Sequence, residues 1–414
     1  MTKVVRLKKN LRDTGIVVAI TLTVVILCEG ILRILFPHVG PKNSAYDFHP
    51  DYLVTLKPNV EKTFFGLLAN GNSVVRWQTN AEGFRGAPLE ENPDLKIMVY
   101  GDSNIQARFS SLKDTFSHRL ETGLESRLGT NVDVINAGVI GFGPDQSLLK
   151  FRKEAEVYRP DIVIFHVFAD NDFGDLLRNR LFELAPDGKL VETPHERKLL
   201  EDEKVMLVPD ANAISLWSSL YLVQAARNFK ENLAWFIFRR DSDKENPAKS
   251  DEILRYLAEK GAAEFAVYRD RKPRRFSVLA DHYDLDVATD MGSESARVKI
   301  ALMDRVLRKA RDFAAAKNIK FLVLIQPSSL DLTENLSPNH GDLAKFSGYR
   351  RKNMSSAVEK ICDRAGLPRI NLFDIFMKND PETLYFKRAN SHWSPRGQAL
   401  AAEATADYLQ REFF

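Results

Sequence analysis

The chain lacks the features that mark several large classes of protein. Its 414 residues include only two cysteines, Cys28 and Cys362. Cys28 lies inside an apolar run, where it could not meet a partner in a soluble domain, so the sequence contains no disulfide framework. The sequence also has no internal repeat and no low-complexity tract. These absences exclude disulfide-stapled scaffolds and repeat arrays.

An excess of charge of one sign is also lacking. The 59 basic and 56 acidic residues leave a formal net charge of +3. A balance of this kind produces no global field that would attract nucleic acid, and the chain contains no zinc-finger or RNP-like motif. We therefore expect no nucleic-acid partner.

The amino terminus combines a basic flank with a long apolar run. The flank covers residues 1–14, and its basic residues are Lys3, Arg6, Lys8, Lys9 and Arg12. The apolar run from Gly15 to Phe36 is long enough to cross a bilayer, which needs about 20 residues. Glu29 and Arg33 interrupt it four residues apart on one helical face, near its far end, where they can pair and snorkel.

Two interpretations fit this terminus, a cleaved signal peptide and a transmembrane signal anchor over residues 15–36. The anchor is favoured because no small-residue cleavage site follows the apolar run. By the positive-inside rule, the basic flank stays in the cytoplasm and residues after about 40 lie on the outer face of the membrane. In a bacterium this would be the periplasm.

After the anchor, residues 37–93 are rich in Pro, Asn and Gly. They are predicted to form a loop-like juxtamembrane segment that packs on the main domain, with short apolar pieces at Tyr52–Leu56 and Val74–Trp77. The main domain is predicted over residues 94–414, with an insertion at about 173–291.

Apolar runs and amphipathic helices alternate in the main domain. The predicted strands are Leu95–Tyr100, Val132–Ile135, Asp161–Phe168, Phe321–Ile325 and Ile370–Phe373. The predicted helices are 112–128 with Ser111 and Asp114 as a capping pair, Gln146–Tyr158, Ser293–Lys317, Met354–Ala365 and Pro395–Leu409 with Ser394 as N-cap. Such alternation indicates a five-stranded parallel sheet covered by helices on both faces, with ligands bound beyond the carboxyl ends of the strands.

The insertion is charged and irregular, except for an amphipathic helix predicted over Ile214–Phe238. The favoured interpretation is that the insertion covers one edge of the domain. A lid or a membrane-lying element is the alternative.

Polar residues stand at the predicted carboxyl ends of the strands. The first strand is followed by G-D-S-N, residues 101–104, and the G-x-S-x-G elbow is absent because residue 105 is Ile. The second leads into N-A-G-V-I-G-F-G, residues 136–143, whose backbone N–H groups could meet an oxyanion. The third is followed by Asn171, an amide donor. Near the carboxyl terminus, His392 opens the last helix.

These four segments, in this order, resemble the blocks of the SGNH or GDSL hydrolase superfamily over residues 95–172 and 293–410. The resemblance implies a three-layer, flavodoxin-like α/β fold, with Ser103 as nucleophile and His392 as its base. It places the oxyanion hole at the backbone N–H groups of Ser103 and Gly141 and the side chain of Asn171. The segment T-N-A-E-G-F-R-G, residues 79–86, and the amino-terminal anchor are similar to membrane-anchored members.

The chain departs from the family pattern at two positions. Ala169 replaces a glycine, and Asn390 stands where relatives carry the aspartate that orients the histidine. An asparagine can accept a hydrogen bond from imidazole but cannot stabilise imidazolium by charge, and the same change in a serine protease costs about 10⁴ in kcat. Either a Ser–His dyad suffices, or another acid serves, with Asp374, Asp380 and Glu382 as candidates.

The resemblance implies ester chemistry through an acyl-enzyme. With water as the second nucleophile the protein is an esterase acting on an acyl ester, such as an acetyl ester, of a cell-envelope carbohydrate or lipid. With a sugar hydroxyl it is a polysaccharide O-acetyltransferase. A catalytically impaired binding or scaffold protein is the alternative of another class. No cofactor and no metal are expected, since Asp170, Asp172 and Asp175 have no histidine beside them and are interpreted as solvated or capping carboxylates.

Overall fold

The computed structural model describes residues 2–35, 44–65, 74–193, 197–207, 220–223, 225–226, 247–333, 341–386 and 392–414. The chain forms two compact units. One comprises residues 1–44 and 209–243, and the other comprises residues 45–208 and 244–414.

The smaller unit is built on helix α1, Thr2–Leu35. Its stretch Asp13–Leu35 is long and apolar enough to span a membrane or to be a signal sequence. The predicted pair within it forms, with Arg33 Nε 2.9 Å from Glu29 Oε1. Residues 209–243 of the insertion are grouped with this unit. Most of the helix predicted over Ile214–Phe238 lies outside the described residues.

The larger unit contains the strands and the remaining helices. The strands are β1 Tyr46–His49, β2 Leu53–Leu56, β3 Glu61–Phe65, β4 Val74–Gln78, β5 Leu95–Tyr100, β6 Val132–Asn136, β7 Ile162–Ala169, β8 Phe182–Leu184, β9 Leu190–Glu192, β10 Lys320–Pro327 and β11 Arg369–Asn371. The helices are α2 Ser103–Gln106, α3 Phe116–Leu128, α4 Pro144–Tyr158, α5 Asp172–Asn179, α6 Glu201–Leu207, α7 Pro247–Arg269, α8 Leu285–Thr289, α9 Glu294–Ala316, α10 Ser329–Leu332, α11 Asn353–Ala365, α12 Phe373–Met377 and α13 Pro395–Glu412.

The segment predicted to be loop-like contains two antiparallel hairpins, β1–β2 and β3–β4. The prediction was wrong because these strands are only four or five residues long, too short for their alternation to stand out. In β4, for example, Val75 and Trp77 are buried and Arg76 between them is exposed, as the two-residue period of a strand requires.

The predicted five-stranded sheet is confirmed. Its order is β11-β10-β7-β5-β6, and all its neighbouring strands run parallel. Met98 and Tyr100 of β5 belong to a buried cluster that includes residues of α4, α9 and α11. The alternate residues Ile97 and Val99 belong to a second cluster with α3, α12 and α13. Helices therefore cover both faces, which makes the fold a three-layer α/β sandwich.

Two helix starts test the capping residues that the sequence predicts. Ser394 caps α13 as predicted, and its side chain accepts from the Gly397 N–H. The capping pair predicted at Ser111 and Asp114 is wrong, because a separate 3₁₀ turn covers 112–114 and α3 begins after Thr115. Thr115 is the residue whose hydroxyl accepts from the backbone of the first turn.

Candidate active site

Ser103 stands at the first position of α2, directly after the carboxyl end of β5. Asp102 caps this one-turn helix by accepting from the Asn104 N–H at 2.8 Å. Gly101 permits the tight turn, since a Cβ there would lie 2.7 Å from Ile105 and 2.8 Å from His166. The turn presents the Ser103 side chain at the strand end, as the sequence predicts.

His392 meets Ser103 across 289 residues of sequence. Its Nε2 lies 2.8 Å from Ser103 Oγ, a distance at which the hydroxyl can donate to the ring nitrogen. The ring of Phe109 packs edge-on against the imidazole with 5.1 Å between centroids. A serine hydroxyl bonded to an imidazole is the arrangement that produces a nucleophile when the ring takes the proton.

Asn104 and Gln398 hold these two segments together. Asn104 Oδ1 accepts from the N–H of Trp393, the residue after the histidine, at 3.0 Å. Gln398 of α13 donates to the Asn104 carbonyl at 3.0 Å and accepts from the Phe116 N–H at 2.7 Å. All three polar side-chain contacts are buried. Sequence reasoning gave neither residue a role, although Asn104 is part of the G-D-S-N block.

Gly141 lies in the loop between β6 and α4 with φ +68°, a left-handed conformation that favours glycine. A Cβ at this position would lie 2.5 Å from the carbonyl oxygen of Val278. The insertion residues around Val278 thus pack directly on the glycine that the family resemblance assigns to the oxyanion hole.

Asn171 is the N-cap residue of α5, beside the carboxyl end of β7. Its amide nitrogen lies 3.3 Å from Asp175 Oδ2, and its side chain also bonds the Asp281 carboxylate. The amide expected to bind an oxyanion is therefore engaged by carboxylates in this conformation.

A short segment of the insertion, residues 276–284, forms a wall of the site and was missed in the sequence. Arg178 anchors it, with its guanidinium 3.8 Å from Asp281 and 3.1 Å from Glu264. Backbone bonds add to this, since the Asp284 N–H donates to the Asp170 carbonyl at 2.7 Å. Only a motif within the insertion could have revealed this wall, and the segment carries none.

Asp170, Asp172 and Asp175 were predicted to be solvated or capping carboxylates, and the structure shows that they are buried rather than solvated. Asp170 accepts from the Ser328 hydroxyl, and Asp172 accepts from the Phe168 N–H at 2.7 Å. Burial raises the pKa of Asp170 to about 7. Burial also raises the pKa values of Asp172 and Asp175 well above the ordinary range. For Asp175, the positive charge of Arg178 acts in the opposite direction. The three carboxylates therefore contact protein groups at the carboxyl end of β7 rather than water.

Two of the carboxylates predicted as candidates for the acid that orients His392, Asp374 and Asp380, have other partners. Asn390 lies outside the described residues. Asp374 is exposed and pairs with Lys352 at 2.6 Å, and Asp380 is 4.0 Å from Arg396. Desolvation raises the pKa of Asp281, while the charges of Arg178 and His392 act in the opposite direction. Asp281 is thus a carboxylate that sequence reasoning did not consider and that lies within electrostatic range of the imidazole.

Comparison with known families gives a match at the carboxyl-terminal end. Residues 288–414 match the family model described as "ALGX: SGNH hydrolase-like domain, acetyltransferase AlgX". This part of the chain is therefore similar to an SGNH hydrolase-like domain. The matched region contains His392 and α13. Ser103 lies outside it in the sequence, but the fold brings Ser103 to His392. No curated relative matches the chain.

Several solved structures are similar in fold. A lipase/acylhydrolase from Enterococcus faecalis is 11% identical with a TM-score of 0.37, covering 77% of this chain and 96% of its own. A catalytic mutant of Axe2, an acetylxylan esterase from Geobacillus stearothermophilus, is 9% identical with a TM-score of 0.36, covering 77% and 95%. Esterase EstA from Pseudoalteromonas sp. is 12% identical with a TM-score of 0.35, covering 77% and 99%.

The SGNH-like assignment and the Ser103–His392 pair agree with each other. The family match comes from the carboxyl-terminal third, whereas the nucleophile position comes from the first strand of the sheet. Together they support an ester hydrolase or acyltransferase.

Proposed function

We propose that the protein is a serine-dependent acyl-ester enzyme, with Ser103 as nucleophile and His392 as general base. His392 Nε2 takes the Ser103 proton while Oγ attacks the ester carbonyl, and the imidazolium then protonates the departing alkoxide. The acyl group remains on Ser103 until a second nucleophile, deprotonated by the same imidazole, releases it. The 2.8 Å contact between the two side chains is the observation that carries this proposal.

The tetrahedral oxyanion would be stabilised by the Ser103 and Gly141 N–H groups and the Asn171 amide. Each such donor contributes about 3 kcal/mol to a transition state by precedent. The left-handed backbone at Gly141 and the position of Asn171 as N-cap residue of α5 support these assignments, because both residues lie in segments that follow strand ends.

The second nucleophile decides the reaction. Water gives an esterase that removes an acyl group, such as acetyl, from a cell-envelope carbohydrate or lipid. A sugar hydroxyl gives a polysaccharide O-acetyltransferase, and the description of the matched family as an acetyltransferase favours this second candidate. We further propose that α1 is a membrane anchor with its basic flank in the cytoplasm and the larger unit outside, which suits a substrate of the cell envelope.

The two reactions are separated by the fate of the acetyl group. The full-length protein in detergent would be given nitrophenyl acetate together with a hydroxyl-rich oligosaccharide, and mass spectrometry would follow acetate and acetylated sugar. Free acetate alone, at a rate independent of the sugar, identifies an esterase. Acetylated sugar that appears with the wild type but not with Ser103→Ala identifies a transferase. Neither product from a folded protein would contradict both.

A further inference from the structure

The guanidinium group of Arg178 lies against the residues that hold Asn171 in place. Arg178 is on α5, seven residues after Asn171, and its side chain is fully buried. Its Nη2 donates to one carboxylate oxygen of Asp175 and lies 3.4 Å from the backbone carbonyl oxygen of Asn171. The other carboxylate oxygen of Asp175 accepts from the Asn171 amide at 3.3 Å. Arg178 therefore contacts the backbone of Asn171 directly and its side chain through Asp175.

A second carboxylate that binds Asn171 also lies beside this guanidinium. Asp281, from the wall formed by residues 276–284, bonds the Asn171 side chain. The Oδ1 atom of Asp281 is 3.8 Å from the same nitrogen, Nη2 of Arg178. Both carboxylates that bond the Asn171 side chain are therefore attracted by one nitrogen of Arg178.

The remaining nitrogen of the guanidinium is held by a different helix. Nη1 of Arg178 lies 3.1 Å from Glu264 Oε2 of α7, and the same oxygen is 2.9 Å from His282 Nε2. Gly174 leaves room for this arrangement, since a Cβ there would lie 2.8 Å from Nη1. Contacts on both terminal nitrogens thus fix the plane of the guanidinium.

The charge of Arg178 bears on the same chemistry. Burial acts to lower the pKa of Arg178, but Asp175, Glu264 and Asp281 raise it above its ordinary value, so the group stays charged. A buried cation offsets the negative charge of Asp175 and Asp281, which would otherwise oppose an oxyanion forming at the Asn171 amide. A lysine could supply the charge but not the planar fork that reaches two carboxylates at once.

We propose that Arg178 is a positioning residue for Asn171, whose guanidinium fixes the two carboxylates that bond the Asn171 side chain and offsets their charge when an oxyanion develops. Arg178 acts through these neighbours and not by touching the substrate. It also gives Asp281 a partner once the amide turns to the oxyanion. The inference rests on the proposed function, because it requires Asn171 to bind the oxyanion.

Hydrolysis of nitrophenyl acetate by the full-length protein in detergent tests this role. Arg178→Lys keeps the charge but not the planar fork, so Asp175 and Asp281 lose their fixed positions. We expect kcat to fall by about tenfold to a hundredfold with little change in KM, because an oxyanion donor acts in the transition state. Arg180→Lys is the matched control and should leave kcat unchanged, since Arg180 is also buried but bonds Glu183.

A double-mutant cycle with Asn171→Ala separates positioning from a purely structural role. If Arg178 acts through Asn171, Arg178→Lys should lower kcat no further in a protein that already carries Asn171→Ala. The same fall in kcat in both backgrounds would overturn the proposal. So would an Asn171→Ala variant that keeps the kcat of the wild type.

Gly174→Ala covers the case in which Arg178→Lys does not fold. Its added methyl would lie 2.8 Å from Arg178 Nη1 and 2.7 Å from Asp284 Oδ1, so it displaces the guanidinium without removing the charge. We expect a fall in kcat that disappears in the Asn171→Ala background, and an unchanged kcat in folded Gly174→Ala would overturn the proposal. Ester hydrolysis that survives Ser103→Ala would contradict the proposed function, whereas additive effects in the cycle contradict only the role of Arg178.

Discussion

At the scale of single residues, the charge of Asp281 is the feature that most affects the chemistry. Its carboxylate bonds the side chain of Asn171 and so would compete with an oxyanion for the amide that we propose as an oxyanion donor. A negative charge beside a developing oxyanion also raises the barrier. If Asn171 binds the oxyanion as we propose, substrate binding must displace Asp281 or neutralise it.

Asp281→Asn should raise kcat/KM for nitrophenyl acetate, by about tenfold if some 1.4 kcal/mol of repulsion is removed. Asp187→Asn, an exposed aspartate of the β8–β9 hairpin, is the matched control and should have no effect. Steady-state kinetics measures both. A loss of rate as severe as that of His392→Ala would show instead that Asp281 supports the imidazole.

Asn390 stands at the position where the family pattern has an aspartate. If it lies beside His392, Asn390→Asp should raise kcat, because imidazolium formed in the transition state gains a counter-charge. An unchanged kcat in Asn390→Asp, combined with loss of activity in His392→Ala, would indicate a Ser–His dyad. The kcat of each variant under saturating ester is the measurement.

At the scale of elements, the sequence predicted those whose pattern is long and regular. The buried strands β5, β7 and β10 and the helices α9 and α13 follow from apolar runs and capping residues, and so does the position of Ser103 at a strand end. The short hairpins of residues 46–78 did not, because four residues carry too little periodicity. The wall formed by residues 276–284 depends on the contacts of the buried Arg178 with Glu264 of α7 and with Asp281. No local sequence pattern encodes these contacts.

The carboxyl end of β7 should make stability depend on pH. The pKa of Asp170 is raised to about 7 by burial, above its unfolded value of about 3.9. The folded state therefore holds a proton that the unfolded chain releases, and this contribution, fully present at low pH, is lost as the pH rises through about 7.

Asp170→Asn removes that titration. Relative to the wild type, the free energy of unfolding of the variant should increase between pH 5 and pH 7, by up to about 1.4 kcal/mol per pH unit. Urea unfolding at several pH values measures it. A difference between the two proteins that stays constant with pH would show that Asp170 is ionised throughout.

At the scale of the whole molecule, hydropathy predicted the apolar helix α1, but not the contact of its Glu29 with a distant part of the chain. The carboxylate of Glu29 accepts from the backbone N–H groups of Tyr221 and Leu222, roughly 190 residues away. Backbone N–H donors cannot be recognised from a sequence, so Arg33 was the only partner of Glu29 that residue spacing could suggest.

The topology makes a prediction at this scale. With residues 3–12 held in the cytoplasm, protease added to the outside of intact spheroplasts should digest the larger unit and leave a fragment containing α1. The same protease should reach only the amino-terminal flank in inverted membrane vesicles. Digestion of the larger unit in the inverted vesicles alone would reverse the orientation.

The central claim is that Ser103 is a nucleophile activated by His392. A fluorophosphonate probe forms a covalent bond with an activated serine, and digestion followed by mass spectrometry locates it. We predict a single modified site at Ser103, no modification of Ser103→Ala, and much slower labelling of His392→Ala. Labelling at another serine, or no labelling of a folded wild-type protein, would contradict it.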